Sequence, residues 1–137
     1  MDRLFLDANV LFSAAYKPSS SLRQFWKLRN AVLCTSPYAL EEASFNLEEY
    51  QQRRALRTLA ENLDLFDAVP RPLPDGLSLP EKDAPIFLAA IAARANYLLT
   101  GDLRHFGAYF HRRFEGVMIM PPGDYLRSIE RRTHGRG

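Results

Sequence analysis

The chain has 137 residues, of which 47% are apolar and 25% are charged, an ordinary composition for one globular domain. The formal net charge of +2 is too small to indicate nucleic-acid binding by itself. No apolar run approaches the roughly 20 residues that cross a bilayer, and the start of the chain lacks a signal-peptide pattern. The one cysteine, Cys34, excludes an internal disulfide. We therefore expect no membrane segment and a cytoplasmic protein with a reduced thiol.

The first third of the chain contains two predicted strands. An apolar strand covers residues 3–6 and ends at Asp7, and a helix is expected from about Asn9 to Tyr16. A second helix is predicted around residues 22–28, and the apolar residues 31–35 are typical of a second strand.

The middle of the chain is predicted to be mostly helical. Ser36 and Pro37 mark a helix start, because Ser is a favoured N-cap and Pro is favoured at the first helical position. Another helix is expected over residues 49–62, and a short strand over 65–69. The proline-rich residues 70–80 predict an ordered crossing loop, because proline is excluded from helix interiors and central strands.

The last part of the chain begins with the strongest helix pattern, residues 83–95. Strands are predicted at 97–100 and 117–120, with a final helix at 122–131. Strands that alternate with helices predict an α/β fold with a parallel sheet of four to five strands and helices on both faces.

The chain is predicted to form one domain over residues 1–130. Residues 131–137 then form a basic C-terminal tail that we expect to be flexible.

Four acidic residues stand where such a sheet would bring them together: Asp7, Glu42, Asp83 and Asp102. Asp7 and Asp102 follow apolar strands, whereas Glu42 and Asp83 lie near predicted helix starts. In an open parallel sheet, strand ends and the following helix starts meet at one crevice. Four carboxylates there repel one another unless a divalent cation neutralises them. The pattern therefore predicts a Mg²⁺ or Mn²⁺ site and phosphoryl chemistry.

Four sequence blocks lie in a characteristic order: LFLDANVL at residues 4–11, SPYALEEA at 36–43, DAPIFLAA at 83–90 and TGD at 100–102. Their order and spacing resemble the PIN-domain ribonucleases, the superfamily that includes the VapC-type toxins. The resemblance implies a three-layer α/β/α fold with an acidic pocket and Mg²⁺- or Mn²⁺-dependent cleavage of single-stranded RNA.

The same resemblance implies roles for individual residues. It assigns catalysis and metal binding to four acids, with two polar residues in support: Asp7, Glu42, Asp83 and Asp102, with Asn9 and Thr100. Toxins of this superfamily usually pair with a small antitoxin and commonly form homodimers, so we expect both partners here.

Several structural alternatives stay open from the residues alone. Asp7, Asp83 and Asp102 could each simply cap the helix that follows. Glu41 competes with Glu42 for the pocket, because adjacent helical residues point about 100° apart, although the family spacing favours Glu42.

Two other classes of protein compete with the nuclease. Haloacid-dehalogenase-like phosphatases need a second Asp where this chain has Asn9, and phosphoacceptor signalling domains need a Lys where it has Met120-Pro121-Pro122. Both are disfavoured. A PIN-like module that binds RNA or protein with little or no turnover is the remaining alternative, and measuring activity during a metal titration separates it from the enzyme.

Overall fold

The computed structural model describes residues 1–134, with side chains through residue 132. The elements in chain order are β1 (Asp2–Leu6), α1 (Ala8–Tyr16), β2 (Ala31–Thr35), α2 (Pro37–Asn46), α3 (Tyr50–Ala60), β3 (Asp64–Leu65), α4 (Ala84–Ala92), β4 (Tyr97–Leu99), α5 (Leu103–Phe106), β5 (Arg113–Phe114), β6 (Val117–Met120) and α6 (Pro122–His134). Two 3₁₀ helices, Ser21–Lys27 and Gly107–Tyr109, complete the described part of the chain.

The sheet has the order β3-β2-β1-β4-β6-β5 and is parallel except where β5 pairs with β6. Strand β1 is central, with Leu4 aligned with Leu33 on one side and with Tyr97 on the other. The chain order reverses direction between β1 and β4, which makes this the topological switch point where open α/β sheets bind ligands.

Helices cover both faces of the sheet. The consecutive β1 residues Leu4, Phe5 and Leu6 are all fully buried. Because successive side chains of a strand point to opposite faces, burial of all three requires a layer on each side. The predicted three-layer α/β/α fold is therefore confirmed.

The sheet contains six strands in the described range, against the four to five predicted. The additional strand is β5, whose two residues are too few to produce a periodic pattern. It forms a hairpin with β6 through Glu115 and Gly116, with φ of 47° and 85°. Positive φ at both turn residues is typical of the type I′ turns that close tight hairpins.

Other boundaries also differ from the prediction. The segment at 22–28 is a 3₁₀ helix, and the strand expected at 65–69 ends at Leu65. Strand β3 pairs with Cys34 and Thr35, the last two residues of β2, so the residues after Leu65 have no further residue of β2 beside them.

The last helix runs to His134 and so includes the first part of the predicted flexible tail. The remaining residues of that tail, 135–137, lie outside the described residues. None of the helices within residues 1–134 has both the length and the apolar character needed to span a membrane.

Candidate metal centre

Asp7 joins the end of β1 to the start of α1. Its backbone is extended, its Oδ1 accepts a hydrogen bond from the Ala8 amide at 2.7 Å, and the residue is only 4% exposed. Its Oδ2 accepts hydrogen bonds from the Thr100 hydroxyl at 2.7 Å and from Asn9 Nδ2 at 3.1 Å. Asp7 is thus a helix cap whose second oxygen is held by one side chain from the first turn of α1 and one from the residue that follows β4.

Asn9 and Thr100 connect the first turn of α1 to the loop that follows β4. Besides their contacts to Asp7, Asn9 Nδ2 donates to Thr100 Oγ1 at 3.1 Å, and Asn9 Oδ1 accepts from the Gly101 amide at 2.8 Å. Thr100 Oγ1 also accepts from the Asp102 amide at 3.1 Å. Thr100 is fully buried, so its contribution to the centre is to position Asp7 and the loop that carries Asp102.

Asp102 caps the short helix α5. Its Oδ1 accepts a hydrogen bond from the His105 amide at 3.1 Å, and its Oδ2 lies 2.9 Å from Nδ1 of the same histidine. Both carboxylate oxygens are therefore used to place His105, three residues further along the chain.

Asp83 precedes α4 and behaves differently from the two acids above. Its side chain makes no capping hydrogen bond, so the capping alternative is not what the structure contains. The residue is 6% exposed, and its Oδ2 accepts no hydrogen bond from the residues that the structure describes. That oxygen lies 3.0 Å from His105 Nδ1, but a ring nitrogen carries at most one hydrogen and Asp102 is its hydrogen-bond partner. Asp83 therefore keeps one buried carboxylate oxygen that accepts no hydrogen bond from the described residues, although it lies beside His105 Nδ1.

A cavity of about 670 Å³ opens beside these residues and includes Asp7, Glu42, Asp83 and Asp102 in its lining. Glu42 reaches it from α2, whereas Glu41 is exposed and lines a different depression with residues of α3. The structure thus brings together the four acids predicted from the sequence, and it places Glu42 rather than Glu41 at the cavity.

Burial and neighbouring negative charges raise the pKa values of two of these acids, Asp7 and Asp83. Burial raises the pKa of Asp7 to about 6, with further increases from the charges of Glu42 and Asp83, against the lowering effects of the Thr100 and Ala8 hydrogen bonds. Burial also raises the pKa of Asp83, as does the charge of Asp102, whereas Lys82 and His105 lower it. A nearby positive charge stabilises the ionised form of buried carboxylates of this kind.

The ligand set suits a hard divalent cation. Carboxylate oxygens are the ligands that Mg²⁺ and Mn²⁺ prefer, and Asp83 Oδ2, which accepts no hydrogen bond from the described residues, is an oxygen that could bind a cation. Ligand atoms of Asp83, Asp102 and His105 all lie within 4.8 Å of one another, which is close enough to surround one ion. The residues therefore fit the predicted Mg²⁺ or Mn²⁺ centre.

Two further residues at the centre were not selected from the sequence. His105 contacts both Asp83 and Asp102. It lies three residues after Asp102, and this i,i+3 spacing is the only local sequence signal for the contact between them. Lys82 lines the cavity with its side chain 60% exposed, and its Nζ lies 4.0 Å from Asp83 Oδ1. No sequence pattern separates Lys82 from an ordinary surface lysine.

Fold and site together define a class: a three-layer α/β/α protein with a carboxylate-lined cavity at the switch point of its sheet. Residues 3–104 match the family described as PIN domain, which is more than half of the chain. The chain therefore belongs to the PIN-domain family, as the sequence blocks predicted.

Two solved structures resemble the fold. One is VapBC2 from Rickettsia felis bound to a DNA fragment from its promoter, with 18% identity, a TM-score of 0.63, and coverage of 87% of this chain and 98% of that chain. The other is VapBC-1 from nontypeable Haemophilus influenzae, with 17% identity, a TM-score of 0.56, and coverage of 87% and 97%. At these identities the likeness concerns the fold. No curated protein matches the chain.

Proposed function

We propose that this protein is an endoribonuclease that cleaves single-stranded RNA with Mg²⁺ or Mn²⁺ held by Asp7, Glu42, Asp83 and Asp102. The observation that carries the proposal is the buried Oδ2 of Asp83, which accepts no hydrogen bond from the described residues and lies in a cavity lined by three other acids. A structural carboxylate would be expected to find a hydrogen-bond donor during folding, because leaving it buried and unpaired is costly.

A bound divalent cation polarises phosphoryl oxygens and lowers the pKa of water, which is the chemistry that phosphodiester hydrolysis needs. The protein's own residues orient the metal ligands and bind the RNA. Thr100 and Asn9 hold Asp7 Oδ2 by hydrogen bonds, so that this carboxylate meets its ligand in one orientation. Lys82, at the same cavity, provides a positive charge for a phosphate of the RNA.

Partners and location belong to the same proposal. Membership of the PIN-domain family and the likeness to VapBC structures support a toxin that pairs with an antitoxin. We also propose a homodimer, which sedimentation analysis tests, and a cytoplasmic location. The buried free thiol of Cys34 is in keeping with a reducing compartment.

The test is cleavage of end-labelled single-stranded RNA by the purified protein with Mn²⁺, Mg²⁺ or EDTA. Wild type is compared with Asp7→Asn and Asp102→Asn, and with Asp67→Asn as a control that removes one exposed carboxylate away from the cavity. Metal-dependent cutting by wild type and Asp67→Asn, lost in the other two, supports the nuclease.

Wild-type activity retained in both site variants contradicts the assignment of the acids. Absence of cutting by folded protein with either metal instead favours the RNA- or protein-binding module with little turnover. Circular dichroism of each variant shows whether lost activity reflects an unfolded protein.

A further inference from the structure

His105 Nδ1 lies between two carboxylates rather than against one. It is 2.9 Å from Asp102 Oδ2 and 3.0 Å from Asp83 Oδ2, and the imidazole is 23% exposed. The backbone amide of His105 donates to the other oxygen of Asp102 at 3.1 Å, so the Asp102 carboxylate is held beside the imidazole ring. The nitrogen therefore faces the same space as the two acids.

A purely structural histidine would not require this arrangement. To hold Asp102 in place, Nδ1 needs only the hydrogen bond to that residue. The equally close approach to Asp83 leaves that carboxylate oxygen buried and without a hydrogen. A neutral imidazole nitrogen and a carboxylate oxygen are both metal ligands. One cation placed between His105 Nδ1, Asp83 Oδ2 and Asp102 Oδ2 would therefore give each of these atoms a partner.

We propose that His105 is a nitrogen ligand of the metal centre, together with Asp83 and Asp102, and that it selects Mn²⁺ over Mg²⁺. The inference rests on the metal centre of the proposed function and names a ligand that the four-acid pattern does not contain. Both ions prefer oxygen ligands, but Mn²⁺ is a first-row transition ion and accepts an imidazole nitrogen more readily than Mg²⁺, so a ligand set with one nitrogen favours Mn²⁺.

The test measures metal binding without RNA. Binding of Mn²⁺ to the purified full-length protein is followed by electron paramagnetic resonance, and Mg²⁺ affinity is obtained by displacement of bound Mn²⁺. Pulsed measurements detect coupling between the bound ion and an imidazole ¹⁴N. The variants are His105→Ala and His105→Asn, with His111→Ala as control, because His111 is an exposed histidine paired with Asp124 and is not part of the cavity lining.

We expect ¹⁴N coupling in wild type and in His111→Ala. His105→Ala should lower Mn²⁺ affinity by about 10-fold or more, since even residues that only support a ligand are worth about 10- to 100-fold. Its Mg²⁺ affinity should change much less, so that the preference for Mn²⁺ is largely lost. His105→Asn retains a polar group beside Asp102 and should also lose the imidazole signal, which separates ligation from a loss of packing.

Three outcomes would overturn the inference. Mn²⁺ binding without ¹⁴N coupling and with equal affinity in His105→Ala removes His105 from the ligand set but leaves the acidic centre intact. Tighter binding by His105→Ala means that the imidazole obstructs the ion. Absence of Mn²⁺ binding by wild type contradicts both this inference and the metal centre of the proposed function.

Discussion

The hydroxyl of Thr100 donates a 2.7 Å hydrogen bond to Oδ2 of Asp7, so a side chain that follows β4 holds the acid that follows β1. The backbone supports the same junction, because the Asp7 amide donates to the carbonyl of Leu99 at 3.1 Å. Neighbouring strands that leave the sheet side by side thus place their loops in direct contact. The acidic centre depends on this pairing of β1 with β4.

Replacing Thr100 by Val should therefore weaken both stability and activity. Val keeps the branched shape but removes the hydroxyl that contacts Asp7, Asn9 and the Asp102 amide. We expect a loss of about 1–3 kcal/mol in the free energy of unfolding, from buried polar groups left unpaired. Cleavage should fall by about 10- to 100-fold, as for other residues that orient a metal ligand. Thr100→Ser retains the hydroxyl and should recover most of the activity; equal activity of Val and Ser would contradict this role.

Asp7 should make the stability of the metal-free protein fall as pH rises. Its folded-state pKa of about 6 is above the ordinary value of 3.8, so the folded state binds the proton more tightly. This contribution is fully present below pH 3.8 and is lost as pH rises through 6, by about 3 kcal/mol in total. Urea unfolding in EDTA between pH 4 and pH 7 measures it. Relative to Asp7→Asn, which does not titrate, wild type should lose most of that amount over this range, whereas a pH-independent difference would refute the prediction.

Glu42 and Glu41 form a matched pair for mutation. Glu42 lines the cavity and its charge raises the pKa of Asp7, whereas Glu41 is exposed and faces residues of α3. Glu42→Gln should reduce metal-dependent RNA cleavage by about 10-fold or more, because it removes a carboxylate from the centre. Glu41→Gln removes the same charge one position earlier and should leave cleavage unchanged. An equal loss in both variants would show that overall charge, rather than the cavity, determines activity.

Lys82 should contribute to RNA binding. Its side chain is 60% exposed at the cavity, and the ammonium group lies no closer than 4.0 Å to Asp83, so it is accessible to a phosphate. In an Asp102→Asn background, Lys82→Gln should weaken RNA binding. It should also reduce the slope of log affinity against log salt concentration by about 1, which corresponds to one phosphate contact. Fluorescence anisotropy over a range of salt concentrations measures both. Lys27→Gln, an exposed lysine outside the cavity lining, is the control and should bind like its parent.

Most of the fold could be predicted from the sequence because its signals are local. The apolar run Leu4-Phe5-Leu6 is buried on both faces, as a central strand must be, and Ser36 caps α2 through the amide of Ala39 at 3.1 Å. Strand β5 could not be predicted, because two residues carry no periodicity and the hairpin depends on the positive φ of Glu115 and Gly116. The 3₁₀ geometry at Ser21–Lys27 was likewise not distinguishable from an α-helix by its apolar spacing.

The candidate site was predictable in its acids but not in its contacts. Asp7 and Asp102 each follow an apolar strand, and the rule that parallel strands end at one edge was enough to bring them together. Neither the choice between Glu41 and Glu42 nor the position of His105 follows from that rule. The first depends on how α2 is rotated about its axis, and the second on how α5 approaches the loop before α4.

The sequence by itself determined the α/β architecture and the family, because these depend on hydrophobic periodicity and on the order of the sequence blocks. It also indicated Asp7 and Asp102 as candidate site residues, because each comes at the end of an apolar strand. Only the tertiary structure decided that Asp83 Oδ2 is buried without a hydrogen bond, that Thr100 holds Asp7, and that His105 Nδ1 lies between two carboxylates. These relations join residues up to 93 positions apart, and their distances result from packing of whole elements against one another rather than from any local pattern.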